Sequence, residues 1–178
     1  IFDHNGWYSV IGFHTRNVPH LGHEYIQKKA LLDTNSDAIF ISPVTGSKQS
    51  GDFKAKPIID CYNKLIELGI YNPYKVLIGA FNTYPRYSGP REAVFTAICR
   101  KNFGCNSFII GRDHTGVGKY YKSDASIRIF DKIDIDMNIL SFDTISFAEG
   151  KGMMRSVSNH KESKKTKNIS GTEIRDAL

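Results

Sequence analysis

Short apolar runs alternate with segments of helical spacing along most of the chain. The runs rich in β-branched and aromatic residues predict strands, over Trp7–Phe13, Ala38–Val44, Val76–Phe81 and Ser107–Gly111. Apolar residues at helical spacing predict helices between them, from Leu21 onward and over Ile58–Leu68, Glu92–Phe103 and Ala125–Ile133. One further strand is expected within Ile139–Phe147. Strands that alternate with helices indicate an α/β protein whose parallel sheet is covered by helices on both faces.

Two polar segments are predicted to be loops. Residues 45–57 have the composition of turns and indicate a mobile loop, and residues 155–167 are polar and basic without apolar periodicity. Beyond them, Ser170 or Thr172 is placed to cap a terminal helix. We therefore predict a single domain, with a core over residues 1–150 and a basic loop and terminal helical segment over 151–178.

Composition narrows the class of partner. The chain has 178 residues, with 24 Lys and Arg against 18 Asp and Glu, for a net charge of +6. This excess predicts an anionic partner, which on charge alone is a nucleic acid, a nucleotide or a small oxyanion. The basic tail has no interleaved aromatic residues for base stacking, so nucleic acid is not favoured. No apolar run is long enough to span a bilayer, which argues against a membrane partner.

The cysteines bear on the compartment. Cys61, Cys99 and Cys105 are scattered and form no CxxC pair, which favours neither a zinc ribbon nor a disulfide framework. This usage is typical of a reducing, cytoplasmic setting.

Polar loops follow three of the predicted strands. They span residues 14–23, 82–91 and 112–120. Because ligands bind beyond the carboxyl ends of the strands in a parallel sheet, we expect these loops to form one site.

The first polar loop has two histidines at the entrance to a helix. His20 and His23 lie three residues apart and flank Gly22, where the missing side chain would allow a phosphate to approach. Free backbone donors at a helix N-terminus suit a nucleotide triphosphate whose α-phosphate gains charge in a transition state. A pair of structural or surface histidines is the alternative, and a metal site is not favoured because no carboxylate or cysteine nearby completes a ligand set.

Cations are present in all three polar loops. Arg16 lies beside Asn17 in the first, and Arg86 and Arg91 belong to the second. Arg112 opens the third, which continues into a glycine-rich run that can cradle an anion. A planar guanidinium suits an oxyanion, although a single arginine of this kind would be interpreted as a surface residue.

Three motifs, taken together, resemble a known family. FHTRNVPHLGHEYIQKKAL, RYSGPREAVFTAICRKNFGCNSFIIGRDHTGVGKYY and ISGTEIR resemble the catalytic domain of the ATP sulfurylase (sulfate adenylyltransferase) family, in the family's order and with similar spacing. The resemblance runs from about Trp7 to the C-terminus. It implies a Rossmann-like nucleotidyltransferase fold with an HxGH motif. The implied reaction is the transfer of AMP from ATP to sulfate, in which pyrophosphate leaves together with magnesium.

The resemblance also implies roles for individual residues. The catalytic residues would be His20, His23, Arg16 and Asn17. The nucleotide would be bound by Thr15, Gly22, Gly111, Arg112, Asp113, His114 and Arg86. The acceptor would be bound by His14, Arg16, Arg112 and Thr115. The partners implied are ATP, or another nucleoside triphosphate, with Mg²⁺ and a small oxyanion, and a homo-oligomer is left open.

The departures from the family pattern cluster around the acceptor. His14 stands where the family usually has a Gln that touches sulfate, Thr115 replaces the usual Ala, and Pro85 replaces the usual Met. A histidine can donate to an oxyanion, but it differs in shape and can titrate. The cysteine cluster that binds zinc in many members has no counterpart before the ISGT segment, so no zinc is expected, and the family's N-terminal PUA-like domain is not part of this sequence.

Two other functions therefore stay open at the level of sequence. The first is a nucleotidyltransferase that uses ATP or CTP with another acceptor, namely phosphate, a phosphonate or a phosphorylated small molecule. The second is a non-catalytic nucleotide-binding module.

Overall fold

A computed structural model gives the fold. It describes residues 1–111, 114, 120–142 and 145–147 in full, and the backbone of residues 148, 153–156 and 166–168. Five strands form one parallel sheet in the order β3-β2-β1-β4-β5, and these strands are β1 (Val10–Thr15), β2 (Ala38–Pro43), β3 (Val76–Ile78), β4 (Ser107–Ile110) and β5 (Asn138–Ser141). The predicted parallel α/β architecture is confirmed. The strands are in the order of a doubly wound sheet, in which β2 and β3 are added on one side of β1 and β4 and β5 on the other.

The helices lie where apolar spacing predicted them. They are α1 (Leu21–Thr34), α2 (Ala55–Glu67), α3 (Pro90–Asn102) and a short α4 (Ala125–Arg128). Because α2 begins at Ala55, the predicted loop over residues 45–57 is shorter than expected. The expected helix over residues 125–133 is instead one turn of α-helix followed by a 3-10 turn over Ile129–Asp131.

Alternation along the buried strands divides the core between the two faces of the sheet. Ile11, Ile39 and Ile109 belong to one apolar cluster, which includes Ala30 of α1 and Ile58 of α2. Phe108 and Ile110 point the other way and pack against Ala93 and Ala97 of α3. Residues of even number in β1 therefore belong to the face that α3 covers.

The chain after β5 differs most from the prediction. Instead of one strand within Ile139–Phe147 there are two, because β5 ends at Ser141 in the parallel sheet and β6 (Ile145–Ala148) belongs to a second sheet. There β6 pairs antiparallel with both β7 (Met153–Ser156) and β8 (Thr166–Asn168). The predicted loop over residues 155–167 thus begins and ends within strands, while the predicted caps Ser170 and Thr172 lie outside the described residues.

Candidate functional site

The candidate site lies at the carboxyl edge of the parallel sheet, around β1, β2 and β3. Val44 and Phe81, just beyond β2 and β3, form a parallel bridge that continues the sheet by one residue. The N–H of Gly46 then donates to the carbonyl of Thr83 at 3.0 Å. A Cβ at Gly46 would lie 2.2 Å from that oxygen, so only glycine allows this approach between the two loops. The segments after β2 and β3 therefore reach the site as a joined pair.

His20 and His23 stack on each other where β1 leads into α1. Their ring centroids are 3.8 Å apart, and His20 is the N-cap of α1, with its ring Nδ1 accepting the backbone N–H of His23 at 3.3 Å. Because that nitrogen accepts, the neutral His20 ring carries its proton on Nε2. Burial lowers the pKa of His20 to about 4. His20 is therefore a neutral N–H donor at physiological pH.

His23 is held more tightly than its neighbour. Its ring packs edge-on against Phe13 at 5.3 Å, and its Nδ1 is buried and has no hydrogen-bond partner. Burial and the adjacent His20 lower the pKa of His23 well below its ordinary value, against a hydrogen bond to the backbone of Val18 that raises it. The predicted HxGH pair is thus two neutral rings at a helix N-terminus, where negative charge is stabilised.

His14 occupies the end of β1 on the face that α3 covers. It is 9% exposed, and its Nδ1 lies 2.8 Å from Nη2 of Arg100, a residue of α3 that is fully buried. Burial first, and then the nearby Arg100 and His114, lower the pKa of His14 well below its ordinary value. This environment therefore favours the uncharged form of the His14 ring.

His114 lies beside His14, with its ring centroid 5.7 Å away. Its Nε2 is 2.9 Å from the hydroxyl of Thr96, which itself hydrogen-bonds to backbone carbonyls of α3. Burial lowers the pKa of His114 to about 4, with further contributions from Arg100 and Arg16. Gly111 is described and exposed, whereas the predicted site residues Arg112, Asp113 and Thr115 lie outside the described residues.

Arg16 and its neighbours form the turn that leaves β1. The hydroxyl of Thr15 accepts the backbone N–H of Asn17 at 3.1 Å and donates to its carbonyl at 3.0 Å, which fixes the turn. The guanidinium of Arg16 lies 3.5 Å from Asp52 and 4.9 Å from the ring centre of Tyr87. The Tyr87 hydroxyl also donates to Asp52 at 2.7 Å. Asp52 from the segment after β2 and Tyr87 from the segment after β3 therefore contact each other and Arg16, which follows β1.

Arg86 makes its described contacts within its own loop and with α3. Its guanidinium stacks on Phe95 at 4.2 Å and on Tyr84 at 4.6 Å. The buried carboxylate of Glu92 accepts the backbone N–H groups of Arg86 and Ser88, at 2.8 and 3.1 Å. Arg86 is therefore placed on a well-formed loop, but among the contacts of the described residues none joins it to the histidines.

The described contacts place the predicted residues in two groups at the end of β1. His20 stacks on His23, and the predicted His114 packs against His14, with Arg16 close enough to lower the pKa of both His14 and His114. Sequence reasoning missed three charged side chains, Asp52, Glu92 and Arg100. Arg100 could have been found, because it follows Ala93 and Ala97 on the apolar stripe of α3, where a charge is unusual. Asp52 and Glu92 gave no comparable signal, since each lies in a polar segment.

The described residues contain neither a cluster of metal ligands nor a membrane-spanning helix. No group of three or more His, Cys, Asp or Glu side chains there is arranged to hold a metal ion. None of the helices in that part of the chain combines the length and the apolar character needed to cross a bilayer.

Comparison with known proteins identifies the family of the chain. The family model for ATP-sulfurylase matches residues 1–178. The chain belongs to the ATP-sulfurylase family. The chain is also similar to curated sulfate adenylyltransferases. The protein from Pyrococcus abyssi is 43% identical over 182 residues, and the match covers 100% of this chain and 47% of that protein. The match to Hyperthermus butylicus is 40% identical, covering 100% of this chain and 46% of the relative.

The similarity is higher over part of the chain. The sulfate adenylyltransferase of Ignicoccus hospitalis is 52% identical over 121 residues, or 68% of this chain and 31% of that protein. The chain thus spans about half the length, or less, of the curated relatives that it matches.

Among solved structures, the hexameric APS kinase from Thiobacillus denitrificans shares the fold. Its TM-score is 0.71 at 15% sequence identity, over 99% of this chain and 33% of that chain. At this identity the likeness concerns the fold alone.

Proposed function

We propose that this ATP-sulfurylase family protein is a sulfate adenylyltransferase. In the proposed reaction an oxygen of sulfate attacks the α-phosphorus of ATP, a new S–O–P linkage forms, and the bond to the β-phosphate breaks. Pyrophosphate leaves with the electron pair of that bond, and adenylyl sulfate is the other product. The observation that carries this proposal is the family match over residues 1–178.

The geometry of the first loop supports the adenylyl half of the reaction. His20 is a neutral donor through Nε2, and it lies with His23 at the N-terminus of α1, where the helix dipole favours phosphate. Charge that develops on the α-phosphate would be stabilised by groups already fixed in place before the reaction. We assign His20 and His23 this role, with Asn17 and Gly22 beside them at the same turn.

The acceptor half is assigned to the end of β1. His14 and Arg16 lie two residues apart there, and His114 packs against His14. In this structure Arg16 is paired with Asp52, so the acceptor would compete with that carboxylate for the guanidinium. The remaining assignments rest on the family resemblance: Thr15, Gly111, Arg112, Asp113, His114 and Arg86 for the nucleotide, and Arg112 and Thr115 for the acceptor.

Partners and setting complete the proposal. ATP is proposed to bind as its magnesium complex, so that Mg²⁺ arrives on the phosphate oxygens as part of the substrate and neutralises the departing pyrophosphate. No zinc is proposed. A cytoplasmic location and assembly into a homo-oligomer also belong to the proposal.

Pyrophosphate release tests the proposal and separates it from its alternatives. The full-length protein is incubated with Mg²⁺ and either ATP or CTP, in the presence of sulfate, phosphate, a phosphonate or no acceptor. We expect release with ATP only when sulfate is present. Release that requires another acceptor or CTP would replace sulfate adenylyltransferase by the related nucleotidyltransferase, and nucleotide binding without release under any condition would favour the non-catalytic module.

A further inference from the structure

Arg100 is a buried cation without an ion pair among the described residues. Its side chain is fully buried, and none of the ion pairs formed in the described part of the chain includes it. Its Nε and Nη1 atoms have no hydrogen-bond partner, so the contact with His14 is its one described hydrogen bond. A buried charge of this kind is costly, and where it persists it points to a role in a site.

The fold is built to admit this side chain. Arg100 lies over Gly12 of β1, where an added Cβ would be 2.9 Å from the Arg100 Cβ and 3.0 Å from its Cγ. The guanidinium then stacks on Phe81 at 4.5 Å and reaches His14, which lies on the same face of β1 as Gly12. A missing side chain, a stacked ring and a hydrogen bond together hold the guanidinium in one place.

The contact determines which nitrogen of His14 carries the proton. A guanidinium has donors and no acceptor, so Nδ1 of His14 must accept the hydrogen bond from Nη2 of Arg100. In the neutral ring the proton is then on Nε2, which is buried and has no hydrogen-bond partner. His14 therefore presents a single fixed N–H donor at the carboxyl end of β1.

The charged and titratable groups around His14 come from every neighbouring segment. They are Arg100 from α3, His114 after β4, Arg16 after β1 and Lys48 after β2, and each of them lowers the pKa of His14 in addition to burial. Burial lowers the pKa of Arg100 itself only to about 10, so the guanidinium stays charged at neutral pH. The N–H of His14 thus lies in a positive environment that favours an anion.

We propose that Arg100 is the positioning residue of the acceptor site: its guanidinium fixes His14 as the Nε2–H tautomer, so that this N–H donates to the oxyanion acceptor. The assignment of that oxyanion as sulfate rests on the proposed function. Arg100 itself touches neither substrate, and acts through His14 and through the charge it places beneath the acceptor.

The tautomer of His14 and the KM values for sulfate and ATP are measured in separate experiments. In ¹⁵N-labelled full-length protein, correlation spectra of the His14 ring should show Nε2 protonated and Nδ1 unprotonated, and addition of sulfate alone should shift the Nε2–H resonance. In Arg100→Met the tautomer preference should be lost. The KM for sulfate should rise about ten- to hundredfold, the loss expected for a hydrogen bond to a charged group, while the KM for ATP changes little.

Two further variants serve as controls. Arg100→Lys keeps a cation and a donor, and should recover part of the sulfate affinity. Arg128→Met removes an exposed arginine that pairs with Asp124, and should leave both the tautomer and the KM for sulfate unchanged. If Arg100→Met does not fold, the spectra of the wild-type protein decide.

The outcomes separate this proposal from the proposed function. Protonation of His14 on Nδ1 in the wild-type protein, an unchanged tautomer in a folded Arg100→Met, or an Nε2–H resonance insensitive to sulfate would overturn the role of Arg100. A wild-type protein that releases no pyrophosphate with sulfate, but whose Nε2–H responds to sulfate, would instead refute the transferase activity and support the anion site.

Discussion

We assign His20 two roles, one structural and one chemical. Its Nδ1 caps α1 by accepting the N–H of His23, and its Nε2–H is the donor that we propose for the α-phosphate. These two roles can be separated, because Asn is a good N-cap but has no imidazole.

His20→Asn should therefore keep the fold and lose the chemistry. We expect the free energy of unfolding of His20→Asn to lie within about 0.5 kcal/mol of the wild-type value. His20→Ala removes the cap, so its free energy of unfolding should fall by about 1 kcal/mol. Both variants should lose about 10²–10³-fold in kcat, since a preorganised donor to the transition state is gone. Urea unfolding and pyrophosphate release measure the two effects, and a His20→Asn protein of normal kcat would show that the ring is structural only.

The place of the first loop at the carboxyl edge of the sheet was predictable from the sequence, whereas the packing behind that loop was not. His14, Arg16, His20 and His23 could be placed at one site because the carboxyl ends of parallel strands meet at one edge of the sheet. The position of Arg100 on the apolar stripe of α3 was readable from the sequence, but its contact with His14 was not, because that contact joins residues 86 positions apart and depends on the packing of α3 over Gly12.

At the scale of elements, the loop between β3 and α3 takes its shape from one buried carboxylate. Glu92 is 2% exposed and lies in the first turn of α3, where it accepts backbone N–H groups from Arg86 and Ser88. Each of its two oxygens accepts one of these N–H groups, so an amide in the same orientation would turn its NH₂ toward one of them.

Glu92→Gln should destabilise the protein although it preserves the shape of the side chain. An amide group would face a backbone N–H, at a cost of about 1–3 kcal/mol, which corresponds to about 2–4 °C in Tm for each kcal/mol. The matched control is Glu67→Gln. Glu67 is an exposed residue at the end of α2 that pairs with Lys64, so this substitution should leave Tm nearly unchanged. Equal Tm values for the two variants would mean that Glu92 does not hold the loop.

The elements themselves were predictable to different degrees. The strands β1 to β4 contain short apolar runs, so their approximate positions followed from the sequence, whereas the edge strand β5 is only partly apolar. The small antiparallel sheet was missed because β7 and β8 lie in polar, basic sequence, and their pairing with β6 is a tertiary contact that periodicity does not record.

At the scale of the whole molecule, four histidines have pKa values below the ordinary value of 6.5, with burial as the main cause for each: His14, His20, His23 and His114. In the unfolded chain these rings take up protons as the pH falls through 6.5, whereas the folded protein keeps them neutral. The unfolded state then binds more protons, so the free energy of unfolding must fall as the pH falls.

Between pH 7.5 and 5.5 the two most buried rings, His14 and His114, should together lower the free energy of unfolding by about 3 kcal/mol. Urea unfolding at several pH values measures this loss. His114→Gln removes one of the two groups. It should therefore reduce the slope of the unfolding free energy against pH by an amount that corresponds to about one bound proton. A free energy of unfolding that stays constant over this range would contradict the neutral, buried state of these histidines.

The central claim is that this edge of the sheet transfers an adenylyl group to sulfate, and exchange of labelled pyrophosphate into ATP tests it most directly. With Mg²⁺, ATP, sulfate and radiolabelled pyrophosphate, reversal of the proposed reaction should place the label in ATP. We predict that label enters ATP only when sulfate is present, and that His20→Asn greatly slows its entry. Exchange at the same rate without sulfate, or no exchange by a protein that binds ATP and sulfate, would contradict it.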